Sequence, residues 1–184
     1  MPVKRLIALV LTTLVLGGPA VAFAQDTASP VASPTASGAG SNAAGDPLVG
    51  TGVSYLNEEG KEIGVVTVTE VTDPWTDFSE GVTLDKGTRY VGVEISIAAT
   101  GEQIKADPYD FGLQTTDGFF YGNTSVSRDI TSASIRNLES ITVDGDDQID
   151  GLVFFQVPEK AQLGRILWQP DTGRLLVVAD LRSS

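Results

Sequence analysis

The 184-residue chain contains no cysteine and no histidine. That pair of absences removes thiol nucleophiles, disulfides, imidazole bases, Ser-His-Asp triads and every zinc or copper site built on His or Cys. Basic residues are scarce as well. Beyond residue 24, ten Lys and Arg stand against 24 Asp and Glu, a net charge of −14, and the ten are scattered singly from Lys61 to Arg182. A nucleic-acid surface needs clustered cations to displace counterions, so no nucleic-acid partner is expected. The acidity suits solubility outside the cell. Long apolar runs are also missing: "LIALVLTTLVL" (6–16) has 11 residues, against about 20 for a membrane-spanning helix.

That short run reads instead as the centre of an export signal. Lys4 and Arg5 precede it, a Gly-Gly-Pro break follows, and "AVAFA" ends in small residues, so cleavage after Ala24 is expected. No cysteine follows to carry a lipid, and no stable membrane insertion is expected after cleavage. Residues 25–47 consist almost wholly of Ala, Ser, Pro, Gly and Thr. Such a composition buries too little to offset chain entropy and reads as a disordered linker. Residues 48–184 then form a domain large enough to hold a core without disulfides.

Within 48–184, apolar residues recur at every second position over short runs bounded by turn residues. "RYVGVEISI" puts Val91, Val93, Ile95 and Ile97 on one face. "YDFGLQT" puts Tyr109, Phe111, Leu113 and Thr115 inward, and Asp117-Gly118 supplies a tight hairpin turn into "FFYG". Runs at 51–56, 62–71, 149–157, 164–170 and 174–181 bring the expectation to eight strands, the last two joined by "PDTG". In 149–157 both faces are apolar (Leu152 and Phe154; Val153 and Phe155), which predicts a central strand. The fold class expected is all-β: an antiparallel immunoglobulin-like sandwich of about seven to eight strands.

The combination of "GTRYVGVEISI", "YDFGLQTTDGFFY", "DGLVFFQVP" and a final "LLVVADL" resembles a family of bacterial secreted domains with a telokin-like immunoglobulin fold. The family includes the mycobacterial immunoprotective extracellular antigens and exported or lipid-anchored proteins of unknown function. Gly151, Val153, Phe155, Val157 and Pro158 fit its late strand, and the likeness spans about residues 50–181. Where members often carry Asn after the first of these strands, this chain has "AATGEQ". The resemblance implies a fold, a secreted location and surface interaction, and it carries over no catalytic residue.

"VDGDDQID" (143–150) is the densest acidic stretch considered for a site. Read as an EF-hand from Asp144, its third position is Asp146, but the fifth is Gln148, the sixth Ile149 and the twelfth Phe155, so the motif fails. An irregular calcium site from Asp144, Asp146 and Asp147 is the alternative to a plain turn delivering Ile149 into the sheet. Glycoside hydrolysis needs two carboxylates flanking a cleft. Asp107 and Asp110 show no partner in the sequence, Asp110 is expected to point into water, and no enzyme and no cofactor are expected; Asp110 and Asp150 are the carboxylates a hydrolase would use. Aromatics crowd "DPWTDFSEG" (73–81) and "DGFFYG" (117–122). Trp75, Phe119, Phe120 and Tyr121 are therefore the candidate surface for an extracellular protein or a cell-wall component. The competing expectation is that Trp75 and Phe78 fold back as a lid on the open end of the sandwich. Trp168 is expected in the core, and "NTS" at Asn123 matches a glycosylation acceptor.

Overall fold

The structure is a computed structural model and describes residues 45–128, 135–170 and 173–182. The expected export signal, spacer residues 25–44 and Asp171 and Thr172 of the last turn lie outside them. Ten strands follow in order: β1 (Val53–Leu56), β2 (Glu62–Trp75), β3 (Thr88–Ala99), β4 (Ile104–Ala106), β5 (Phe111–Thr115), β6 (Phe120–Gly122), β7 (Ile141–Val143), β8 (Gln148–Pro158), β9 (Leu163–Trp168) and β10 (Leu176–Asp180). A first sheet runs β1-β2-β3-β8 and a second β10-β9-β5-β6, while β4 and β7 pair as a small third. All strand pairings are antiparallel. The chain is an all-β sandwich. The two strands beyond the eight expected are β4 and β7, each three residues long and too short to show alternation.

The main core forms where the inward rows of both sheets meet. Val91, Val93, Ile95 and Ile97 of β3 and Val153, Phe155 and Val157 of β8 face Phe111 and Leu113 of β5 and Ile166 of β9. Trp168 is fully buried and joins the layers. Its ring meets Tyr55 of the first sheet edge-on at 4.9 Å and stacks with Phe111 of the second at 6.0 Å, arrangements that suit aromatic quadrupoles.

Two local expectations are corrected. Tyr109 is not inward but 68% exposed. Asp107 and Pro108 start a 3-10 turn over Pro108–Asp110, in which the Asp107 carboxylate accepts the Tyr109 N–H, and the strand's alternation begins only at Phe111. The second correction concerns β8, which is the last strand of its sheet and not a central one. Both its faces are apolar because a second cluster covers the outer one: Tyr90, Val126, Leu152 and Phe154, with Trp75, Phe78, Val82 and Ile135 packed against them.

At Leu152 and Phe154 the free edge of β8 is closed by the connection between β6 and β7, which shares the cover of its face with Trp75 of β2 and with Phe78 and Val82. Asn123 accepts the Phe154 N–H through its side-chain oxygen at 3.1 Å, and the Thr124 N–H reaches Phe154 O. The Leu138 N–H donates to Leu152 O, and the Leu152 N–H to Arg136 O. An edge whose main-chain groups are already bonded cannot template pairing with another chain. The glycosylation motif at Asn123 thus coincides with a side chain spent on sealing an edge.

At the other end, Asp46 and Pro47, which composition groups with the spacer, are tied with Leu48 to the sandwich. The Asp180 N–H donates to Pro47 O at 2.6 Å and Leu48 bridges Asp180 in parallel. Asp46 pairs with Arg165 at 2.6 Å and Arg182 at 2.9 Å, and Arg182 also reaches Asp180 at 2.7 Å.

Two outcomes are expected. Asn123→Ala leaves the Phe154 N–H without its partner in a half-buried position and should cost about 1–3 kcal/mol in urea denaturation. The Arg182 hydrogen bond holds the Asp180 carboxyl down to about 2. A carboxylate with a lowered folded value stabilises above its unfolded value, about 3.9, and loses that contribution as pH falls toward 2. The melting temperature of the wild type should exceed that of Asp180→Asn at pH 6, and the gap should close between pH 4 and pH 2. A gap independent of pH would show that the ion pair is not its source.

Candidate functional site

A glycine on the outer face of each sheet gives way to an aromatic ring. In the first sheet Gly92 lies opposite Thr72 of β2 and Phe154 of β8, and a side chain there would collide with Trp75. In the second, Gly112 lies opposite Leu167 and Gly122, and a side chain would collide with the distal atoms of Phe120. Phe120 pairs with Gln114, so its ring leans diagonally onto Gly112, a reach that aromatics cover across strands.

The two rings end in different surroundings. Trp75 meets Phe154 edge-on at 5.3 Å, and its Nε1–H donates to Asp77 O at 2.9 Å. The Arg128 guanidinium, almost wholly buried, sits 4.9 Å from the Trp75 ring centre and 5.9 Å from that of Phe154. It also donates to Ile135 O at 2.9 Å and lies 3.7 Å from Asp77. Trp75 and Phe78 therefore cover the outer face of the first sheet and not the open end of the sandwich, because β2 runs on through Trp75. Phe120, by contrast, is 59% exposed.

Around Phe120 lies a trough of about 340 Å³. Tyr109 and Leu175 stand exposed on its walls, Gly112 and Leu167 form its floor, and Gln169 and Pro170 also line it. Phe119 is exposed on the adjoining hairpin turn. The Thr115 hydroxyl stiffens that turn through bonds to Asp117 and to Phe119 O, with Gly118 at φ 92°. Tyr121 packs against the main core. Of the candidate aromatics, Phe119 and Phe120 thus stay at the surface of the second sheet, while Trp75 lies on the far side of the sandwich. Tyr109, Gln169 and Leu175 join through strand register, which no local pattern announces.

A larger concavity of about 780 Å³ lies where the sheets part, over half-buried Val49, Val71 and Leu163. Two guanidinium groups line it: Arg182 is paired with Asp46 and Asp180, and Arg89 bonds Asp73 twice (2.6 and 2.9 Å) and donates to Pro158 O, Glu159 O and Ala161 O. All five N–H donors of the group are then occupied. Asp73 also raises its affinity for the proton. Arg89 is a strut between the β2 end and the β8–β9 turn, with no donor left for a ligand.

The acidic stretch is the turn from β7 into β8. Asp144 accepts from Gln103 Nε2 at 2.6 Å, Asp146 adopts φ 72°, its N–H bonds Ala99 O, and Asp147 O accepts the Ala99 N–H. Among the described residues no group of three or more acidic side chains is placed to hold a metal. Asp150 is exposed on β8 in the first sheet, whereas Asp110 precedes β5 in the second. Asp110 is half-buried in the 3-10 turn, not fully turned to water.

No protein-family model matches the chain. No curated protein matches its sequence. Among solved structures the chain is similar to ycdA of Bacillus subtilis, a candidate lipoprotein, with 19% identity and a TM-score of 0.52 over 69% of this chain. It spans only 37% of that protein. The secreted protein MPT63 of Mycobacterium tuberculosis matches with 15% identity and a TM-score of 0.47, covering 72% of this chain and 94% of that one. The yjhA protein of Bacillus subtilis gives 16% and 0.48 over 74% and 86%. The likeness to ycdA is one of fold. Among the described residues no helix is long and apolar enough to cross a membrane.

With Asp144 bonded to Gln103 and no convergent carboxylates, millimolar calcium should leave the melting temperature unchanged relative to chelator. A midpoint that rises with calcium concentration, as binding to the native state demands, would restore the calcium-stabilised reading of 144–150.

Proposed function

We propose that this chain is an exported, non-catalytic β-sandwich module that binds a cell-envelope or extracellular component through the outer face of its second sheet. A kinship with the telokin-like secreted domains is part of that proposal, supported by the sequence resemblance and by the shared β-sandwich architecture. The observation that carries the binding role is the contrast between the two outer faces. On the first, the β3–β8 side is covered by an apolar cluster and a buried arginine, which leave a small concavity of about 180 Å³ lined by polar and charged as well as apolar groups. The other keeps Tyr109, Phe120 and Leu175 exposed around a single trough. Clustered exposed apolar side chains on a soluble domain mark interaction surfaces. The aromatic wall sits on a hairpin fixed by the Thr115 hydroxyl, so little ordering entropy is lost on binding. The lack of His and Cys, together with the separation of Asp150 on β8 of the first sheet from Asp110 in the turn before β5 of the second, supports a role in binding over catalysis.

The test is cosedimentation of the full chain with purified cell-envelope fragments. The wild type should be retained, and Phe120→Ser combined with Tyr109→Ser should lower the retained fraction at least tenfold while the circular dichroism spectrum is unchanged. Equal retention of both proteins would remove the second sheet's outer face from the binding role.

A further inference from the structure

The chemistry of the trough narrows what it takes. Resting on the reading of this face as the binding surface, we infer that the trough is a glycan site. Phe120 and Tyr109 receive the apolar face of a sugar ring, and the Gln169 amide and Tyr109 hydroxyl bond its rim of hydroxyls. The first support is charge. No Lys or Arg lines the trough, Asp110 does, and the exported part of the chain carries −14. A phosphorylated or otherwise anionic ligand would meet no counter-charge there, so the occupant is not an anion.

The second support is size and shape. About 340 Å³ falls at the small end of ligand sites, roughly 300–1,000 Å³. A stable protein interface covers about 800 Å² on each partner, far more than two aromatic rings and a leucine offer. The third support is the backbone. An extended peptide takes most of its affinity from main-chain hydrogen bonds at a sheet edge. Under the trough, β5 is paired on both sides, with β6 and β9, and β9 with β5 and β10. β6 ends the sheet at the trough's margin but is three residues long, too short an edge to pair an extended peptide, so over β5 and β9 only side chains are on offer: an apolar platform beside amide and hydroxyl groups. A sugar ring matches that pattern, with C–H bonds on its face and hydroxyls at its margin. Gly112 makes the platform possible, since any side chain there would push the Phe120 ring off the sheet.

The experiment uses the full chain with three probes: N-acetylglucosamine oligosaccharides, β-glucan oligosaccharides, and protease-treated insoluble peptidoglycan. Calorimetry serves for the soluble probes and sedimentation for the insoluble one. At least one probe should bind saturably. Phe120→Ala and Tyr109→Ala should each weaken it roughly three- to tenfold, as an aromatic contact implies. Ile141→Ser, at an exposed apolar position outside the trough, should leave it unchanged. Unchanged melting temperatures would show that the variants fold. Glycan binding indifferent to Phe120 and Tyr109 would overturn the site. If no probe binds while envelope fragments still retain the chain in a Phe120-dependent way, the glycan assignment falls and the interaction role stands. If neither probes nor fragments bind, both fall. A Phe120-dependent dimer on size-exclusion chromatography would give the face to a second copy and overturn the glycan reading.

Discussion

A strand with apolar side chains on both faces cannot end a sheet that has water on one side, and β8 is such a strand. Val153, Phe155 and Val157 fill the main core, while Leu152 and Phe154 point the other way and are equally buried. Covering a side chain of that size is worth about 1.5–3 kcal/mol, so leaving the outer pair wet would cost a large part of a typical domain's net stability. Because β8 also ends its sheet, its free main-chain groups need partners as well. The connection between β6 and β7 meets both demands. Val126 and Ile135 lie over the face, and Asn123, Arg136 and Leu138 bond the edge. Arg128 is the polar wedge in this cover. Its charge is tolerable under so much apolar surface because aromatic faces, main-chain oxygen and Asp77 surround it.

The same device, a ring seated over a sheet glycine, appears on the outer face of each sheet with opposite consequences. Gly92 and Trp75 belong to the cover, where the ring has Phe154 beside it and Arg128 above. Gly112 and Phe120 have no such cover, and the ring stays mostly open to water. No packing demand of the second sheet explains this, since Phe111, Leu113 and Ile166 already fill its inner face. The contact with Gly112 covers only part of the ring, and the larger, exposed part gains nothing in the folded chain alone. That asymmetry supports the binding role proposed for the second sheet.

Period-two alternation is a local signal, and where it governs, the sequence was sufficient. The inward row of β3, the Asp117-Gly118 hairpin and the buried Trp168 all follow from it. It fails where chemistry at a strand end intervenes. Asp107 and Pro108 open a 3-10 turn that rotates Tyr109 outward, and β2 runs four residues past its apolar stretch to deliver Trp75. It also fails for β8, because two apolar faces say that both are covered without saying by what. A neighbouring strand was the natural assumption, and a folded connection does the covering instead. The trough was half legible. Phe119 and Phe120 stand out as aromatics crowded at a turn, but Gln169 and Leu175 reach them only through the pairing of β5 with β9 and of β9 with β10.

Charge bears on the proposed binding role as well. Its arginines are largely turned to internal work: Arg89 ties β3 to Asp73 and the β8–β9 turn, Arg128 sits in the cover, and Arg165 and Arg182 fasten the start of the domain through Asp46. Cations used in this way cannot also receive a phosphate or a polyanion from solution, and the remaining carboxylates repel one. Attraction must then come from contacts that carry no charge, which for exposed aromatics means desolvation and stacking. The placement of the arginines and the exposure of Phe120 therefore support the same proposal, a binding face that repels anions and offers apolar contact to a hydroxyl-bearing surface.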